Sequence, residues 1–555
     1  MIKRVGIDVG GTFTDAVLMQ GNSIVDKTKV PTRTDDLLHT IISTIDELGI
    51  SEQKPVEKIT VSTTLVTNAI LQGYLPKIKL CLFPGRGMKL DALAWPVPYH
   101  VFSGIIDYRG KEVQAPDHTE WEQLSQSLQQ DAETKLAIVG KFSHRNKAHE
   151  EQLAAYLLKY NPDLQIACGY LWGQANFYRR SLTTYLNLAS QELYFQFAAD
   201  LQQAVAARGC HAPILVLKAD GGTLPLSSLR PVDSIYSGPA ASVLGALAQS
   251  KESESFVAVD IGGTTTDLGI VLSGVPLISA KGARIGAFPT LVYSLAVRSL
   301  AVGGDSLILR NDQGFSLADY RSGAACCLGG DAPTPTDAMC YLKLVDYGDW
   351  AKAEAALASL LPPDEREATN LQNMAEAILK AAVEKIALAI EDLSKEWQAE
   401  PAYKIWEVLH PQNPLKLNIL VSGGCAQGFA PFLGERLKTR VRLGNYPEVS
   451  NAIGTAMAKP TFSWTLSLDT YRKFYQIEET GEQGEWLGSR KPYKEVARFL
   501  TELAQKQAGD KGIDQADLQL DNFDYFPIVQ GYQTVGQIVR GAIHVPPGVR
   551  GRIQE

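Results

Sequence analysis

The octapeptides Asp8-Val9-Gly10-Gly11-Thr12-Phe13-Thr14-Asp15 and Asp260-Ile261-Gly262-Gly263-Thr264-Thr265-Thr266-Asp267 carry the residue types best suited to chemistry in this 555-residue chain. Six of their eight positions are identical, and the copies lie 252 residues apart. Glycines without a Cβ let backbone N–H groups approach phosphate oxygens closely, which is the expected use of Gly10, Gly11, Gly262 and Gly263. The hydroxyls of Thr12, Thr14, Thr264, Thr265 and Thr266 add donors, and the leading carboxylates Asp8 and Asp260 can hold a metal ion through water. A single such turn reads equally well as an ordinary glycine-rich hairpin. Two with the same Asp-to-Asp spacing point to paired tips that grip one polyphosphate.

Each copy follows an apolar run, Val5-Gly6-Ile7 or Phe256-Val257-Ala258-Val259, and precedes another, Ala16 to Met19 or Leu268 to Leu272, so each reads as strand, tight turn, strand. No Gly-Lys-Ser/Thr follows either turn, which excludes a Walker loop. The chain returns as a strand instead of opening a helix, which excludes a dinucleotide fingerprint. Between and beyond the hairpins, strand-like runs at Leu136–Val139 and Gln165–Cys168 flank a helical stretch from Ala148 to Tyr160. Long helices are expected from Thr183 to Arg208, stopped by Gly209, and from Leu379 to Trp397, where apolar residues recur along one stripe. Alternating strand and helix make an α/β protein. From Thr461 the texture changes to charged helix-like stretches and a period-two run around Gln537 to Val545, the mark of a small appended α+β domain.

The length exceeds one core and calls for two or three domains. A net charge of −8 argues against nucleic acid as the main partner, and no run of eighteen apolar residues offers a membrane span. Seven cysteines, odd in number and without a Cys-x-x-Cys pair, fit reduced thiols in a cytoplasmic protein. The eight histidines show no zinc spacing.

The paired octapeptides resemble the phosphate hairpins of the actin-like ATPase superfamily, which holds actin, sugar kinases and large heat-shock chaperones. Within it the chain is similar to the hydantoinase/oxoprolinase family (hydantoinase A-like). That resemblance covers roughly residues 1 to 460 and implies two ribonuclease-H-like domains around a nucleotide cleft: 1–185 with the first hairpin and 186–460 with the second, followed by the 461–555 appendage. It implies ATP and Mg²⁺ as cofactors, with Asp8 and Asp260 facing each other across the cleft and Asp337, in Pro335-Thr336-Asp337-Ala338, as a further carboxylate near the metal. Asn418 to Ala426 ends in Gly423-Gly424, which the resemblance sets against adenine; the plain alternative is a strand-to-helix turn needing small residues. Ser62-Thr63-Thr64-Leu65-Val66-Thr67-Asn68-Ala69 is similar to a Gly-Thr-Thr-x-x-x-Asn-Ala element of the family. Thr63, Thr64 and Asn68 there either line the cleft or cap the helix that follows. Arg180, with Ser181, Thr183, Thr184 and Asn187, matches another family stretch, although Phe177 and Arg179 replace its usual acidic flanks. Further departures are Gly303-Gly304-Asp305-Ser306, where the family has three glycines before serine, and Gly424-Cys425-Ala426-Gln427, which lacks the Pro-Leu-His of many relatives.

The resemblance implies an ATP-dependent subunit that activates a cyclic amide (a hydantoin, lactam or 5-oxoproline-like compound) or a ketone for hydrolysis or carboxylation. It implies a second, hydantoinase B-like subunit or a homo-oligomer. A small-molecule kinase of the same fold, and a nucleotide-gated reactivase or chaperone, are the alternatives.

Overall fold

The structure is a computed structural model that describes residues 3–128, 135–279, 281–311, 314–399, 417–510, 513 and 517–554. Its central feature is one sheet pattern built twice. In the first lobe Lys3–Val9 pairs antiparallel with Phe13–Gln20 and parallel with Lys58–Ser62, which continues to Ile214–Leu217 and Thr223–Pro225; Ser23–Pro31 closes the other edge. In the second lobe Phe256–Ile261 pairs antiparallel with Thr266–Leu272 and parallel with Asn418–Ser422, which continues to Val441–Leu443. The registers correspond residue by residue: Asp8 stands opposite Asp15 and Ser62, and Asp260 opposite Asp267 and Ser422. β-Branched and small apolar residues dominate these central strands because both faces are covered.

Each sheet ends in a helix that returns between the lobes, Ser237–Ala248 after the first and Ser450–Met457 after the second. The two cross backbone to backbone: a Cβ on Gly245 would lie 2.1 Å from the Ser450 carbonyl, and one on Gly454 would lie 2.2 Å from the Ala241 carbonyl. Around that crossing Val17, Met19, Leu244, Ala258, Leu420 and Ile453 form one buried cluster, so the lobes share a core beneath the cleft.

The first lobe carries an inserted parallel sheet with the order Gln165–Cys168, Lys135–Gly140, Ile78–Phe83, Tyr99–Val101, and the helix Phe177–Ala206 leads from it back to Ile214–Leu217. That helix corrects the expected boundary at 185/186. It runs unbroken through the boundary, and the strands after it complete the first sheet by parallel pairing with Lys58–Ser62, so the first lobe extends past Pro225. The second lobe gains a helical layer led by Ala368–Ala399, longer than its amphipathic stripe at both ends. After Thr461 a separate antiparallel sheet forms around Phe462–Asp469 and Gln533–Val545, covered by the helix Glu495–Asp510. Strict alternation of buried and half-buried residues along Phe462–Asp469 shows its single core face. Among the described residues no helix is long and apolar enough to cross a membrane.

Candidate active site

The hairpins bring their tips into contact: Thr12 Oγ1 lies 3.3 Å from Thr264 Oγ1. Each turn is closed from within, Gly10 N–H donating to the Phe13 carbonyl at 3.1 Å and Gly262 N–H to that of Thr265 at 2.9 Å. The N–H groups of Gly11, Thr12, Gly263 and Thr264 have no protein acceptor among the described residues. They form two exposed-amide concavities, the arrangement that binds anions. Thr265 stays exposed, whereas Thr14 and Thr266 turn inward and are fully buried. Thr14 Oγ1 shares a 2.9 Å hydrogen bond with Thr32 Oγ1, and Thr266 Oγ1 donates to the Val302 carbonyl at 2.7 Å. Those two hydroxyls hold the hairpins to their lobes.

Below the tips lie the carboxylates. Asp260 accepts from Ser242 Oγ at 2.8 Å, Ser422 Oγ at 3.2 Å and Asn451 Nδ2 at 3.0 Å. Asp8 is worse served: its Oδ1 is buried with no donor in bonding geometry. Burial pushes the Asp8 carboxyl up to about 7, aided by the negative charges of Asp15 and Asp260, although Ser62 and Asn451 favour its ionised form. Asp267, buried and repelled by Asp260, is likewise raised to about 7, with its own Oδ1 unpartnered. Orphaned carboxylate oxygens beside a second carboxylate, at the floor of an anion cradle, are the donor set a hydrated divalent cation requires. Asp8, with Asp260 beside it, could hold a hydrated Mg²⁺ through water; no group of three or more metal-ligating side chains gathers among the described residues.

The remaining expected residues divide. Gly423, at φ +96°, passes so close to the second hairpin that a Cβ would lie 2.3 Å from the Ile261 carbonyl and 2.7 Å from Asp260 Oδ1. A Cβ on Gly424 would meet nothing within 4 Å, so its face is open beside the cleft. Thr63 is buried and its Oγ1 accepts from Leu65 N–H at 3.2 Å, while Asn68 Nδ2 donates to Thr64 Oγ1 at 3.2 Å. Both contacts lie at the start of the helix Leu65–Gln72. Arg180 is sealed in the first lobe, its guanidinium donating to the carbonyls of Gln174, Gly140 and Lys141 and held at about 10 by desolvation. Asp337 is fully buried and accepts from the N–H groups of Cys326, Cys327 and Thr334, which fixes the start of the helix Pro335–Tyr341.

Sequence reading passed over Asn451, Ser242 and Ser422, which serve Asp260, and Arg321, whose Nη1 donates to Thr12 Oγ1 at 2.7 Å. Ser62 and Ser422 could have been found by aligning the strands that end beside each octapeptide. Nothing local marks Arg321, which closes on Thr12 across 309 residues.

The hydantoinase/oxoprolinase family model matches residues 180–463, and the model of that family's N-terminal region matches residues 4–160. The chain is 26% identical over 373 residues to caprolactamase subunit alpha of Pseudomonas jessenii, covering 60% of this chain and 53% of that protein. It is 25% identical over 414 residues to the acetophenone carboxylase gamma subunit of Aromatoleum aromaticum, covering 64% and 56%. It thus spans about half the length of these curated relatives. The nucleotide-free structure of acetone carboxylase, from work on ATP-dependent acetone carboxylation, superposes over 100% of this chain and 88% of that one, with TM-score 0.73 at 16% identity. That likeness shows a shared fold.

Proposed function

We propose a function from one premise: the chain belongs to the hydantoinase/oxoprolinase family. In this reading it is the nucleotide-using subunit of an enzyme that transfers the γ-phosphoryl group of ATP to the oxygen of a cyclic amide or a ketone, preparing it for hydrolysis or carboxylation. The observation that carries it is the contact of Thr12 with Thr264 above the buried carboxylates Asp8 and Asp260. Relatives named for lactam hydrolysis and ketone carboxylation support the substrate class. Both are named as subunits, which supports a partner chain for the second half of the chemistry.

The physical logic is that an amide oxygen is a poor leaving group and its phosphate ester a good one. Gly11, Thr12, Gly263 and Thr264 supply N–H and hydroxyl donors to phosphate oxygens, stabilising the charge that spreads over them during transfer. Asp8 and Asp260 would hold Mg²⁺, which when bound neutralises phosphate charge. Gly424 leaves room for a flat base beside the second hairpin.

The test is ATP turnover, read as phosphate release, across a panel of cyclic amides and ketones, with and without candidate partner subunits. Turnover that rises many-fold with one such compound, giving the ring-opened or carboxylated product, is expected. A stable phosphorylated product would reassign the chain to the kinases; slow turnover indifferent to every compound would reassign it to nucleotide-gated reactivases.

A further inference from the structure

At the contact between the tips sits one charged donor, and it comes from outside both hairpins. Arg321 ends the strand Gly314–Arg321; its Nε donates to the Gly323 carbonyl at 2.8 Å, its Nη1 to Thr12 Oγ1 at 2.7 Å, and its Nη2 lies 3.2 Å from Asp305 Oδ2. Asp305 in turn is built onto the other tip. Its N–H donates to the Gly263 carbonyl at 2.7 Å, and its Oδ2 stands where a Cβ on Gly263 would come within 2.6 Å. The order Thr264, Thr12, Arg321, Asp305, Gly263 is therefore a closed ring of polar contacts across the cleft. Asp305 is nine-tenths buried, and burial raises its carboxyl against the pull of Arg321 and Thr336.

Chemically, this is a carboxylate standing beside an anion cradle, at Gly263, with its guanidinium partner already in place. A planar guanidinium binds carboxylate and phosphate oxygens by the same two-pronged geometry, so the two anions are interchangeable partners for it. We propose that Arg321 is a phosphate-contacting residue of this site and that Asp305 is its positioning residue. Without nucleotide, Asp305 holds the guanidinium at Thr12 and latches the tips. A polyphosphate entering between Gly11-Thr12 and Gly263-Thr264 takes over the guanidinium and meets Asp305 as a like charge beside Gly263. Arg321 thereby delivers a full positive charge that the amides and hydroxyls of the hairpins lack, the part played in other phosphoryl-transfer sites by an arginine supplied in cis. The inference rests on the nucleotide-binding reading above.

The test is calorimetric titration of Mg·ATP into full-length wild type, R321A, R321K and D305N, with melting curves of each nucleotide-free protein. Losing a charge-assisted contact predicts an ATP Kd raised about tenfold or more in R321A. R321K should fall between R321A and wild type, because a point charge restores attraction without the fork. D305N should bind ATP more tightly than wild type and melt lower without it, the mark of a competitor that is also a latch. Wild-type affinity in R321A, or equal loss in R321A and R321K with D305N unchanged, would overturn the proposal and return Arg321 to a strut. Wild-type protein that binds no nucleotide would instead take down the proposed function itself, so the two failures are distinct.

Discussion

The two hairpins share six residues in eight and one backbone register, yet their leading carboxylates live in different surroundings. Asp260 receives three side-chain donors, one of them, Ser242, from the helix that closes the opposite lobe. Asp8 keeps an oxygen with none and is raised to about 7. The far ends of the octapeptides invert the pattern: Asp15 pairs with Lys29 at 2.7 Å, whereas Asp267 has the orphaned oxygen. Repeating a sequence repeats its turn geometry, which is local, but not its electrostatics, which come from helices and loops that are not repeated. In a pair of carboxylates whose environments differ, the roles differ too. Asp260 is a buried carboxylate held by three side-chain donors, and Asp8 is the group that a proton or a cation must satisfy.

The strongest way to break that comparison is to remove each charge in turn. D8N and D260N should each lower Mg-dependent ATP turnover by about 10²–10³, the usual effect of losing one major electrostatic contact to a transferring group. Their stabilities should move in opposite directions. At pH 8, D8N removes a charge that burial opposes and should raise the melting temperature of the nucleotide-free protein. D260N leaves Ser242, Ser422 and Asn451 with a poorer acceptor and should lower it, by about 1–3 kcal/mol in denaturant unfolding. Turnover at the wild-type rate in either variant would reject the assignment of that carboxylate, and shifts of the same sign would erase the asymmetry.

The crossing helices set the distance between the lobes, so G454A probes whether both hairpins depend on one joint. Its Cβ would be driven into the Ala241 carbonyl at 2.2 Å, where only backbone can give way, and a cost of about 1–3 kcal/mol is expected in urea unfolding. Unchanged stability would mean that the helices can separate freely.

pH sharpens the comparison further. Asp8 and Asp267 titrate near 7 when folded, against an ordinary 3.8. Between these values the folded chain holds protons that the unfolded chain has released, so ∂ΔG/∂pH is negative. Their contribution is fully present below about 4 and is lost as pH rises through 7. The nucleotide-free protein should therefore lose melting temperature across that window, D8N should lose less, and Mg²⁺ should stabilise the wild type more at pH 8 than at pH 6. A wild-type profile that D8N reproduces would remove Asp8 as its source.

Much of this was legible in the chain. The hairpins, the Gly423-Gly424 turn and the appended sheet follow from glycine placement and from period-two alternation, signals carried within a dozen residues. The lobe boundary was not, because a helix crossing between sheets looks the same wherever its next strand pairs, and Ile214–Leu217 pairs backwards with Lys58–Ser62. Threonines spaced two apart on a hairpin also split by strand alternation: Thr12 reaches the partner tip while Thr14 is buried against Thr32. Asp305 was visible as an odd residue in a glycine run, but its partner Arg321 had no local mark. Contacts closed over hundreds of residues leave no periodic trace.

The smallest expected effect concerns the element at the foot of the first lobe alone. Among the described residues, Asn68 Nδ2 donates to Thr64 Oγ1, at 3.2 Å and one helical turn away, and Thr64 is the residue that precedes that helix. The second lobe has Ser422-Gly423-Gly424 at the corresponding strand end, with Gln427 in place of an asparagine in the first turn of the helix Ala426–Leu437. With its contact confined to the helix start, the Asn68 amide is a local brace worth about 0.5–1.5 kcal/mol. N68A should lower the melting temperature by a few degrees or less while turnover and the Kd for Mg·ATP stay within twofold of wild type. A drop in turnover with unchanged melting would move Asn68 into the cleft. It would then give the first lobe a substrate contact at the start of the helix Leu65–Gln72.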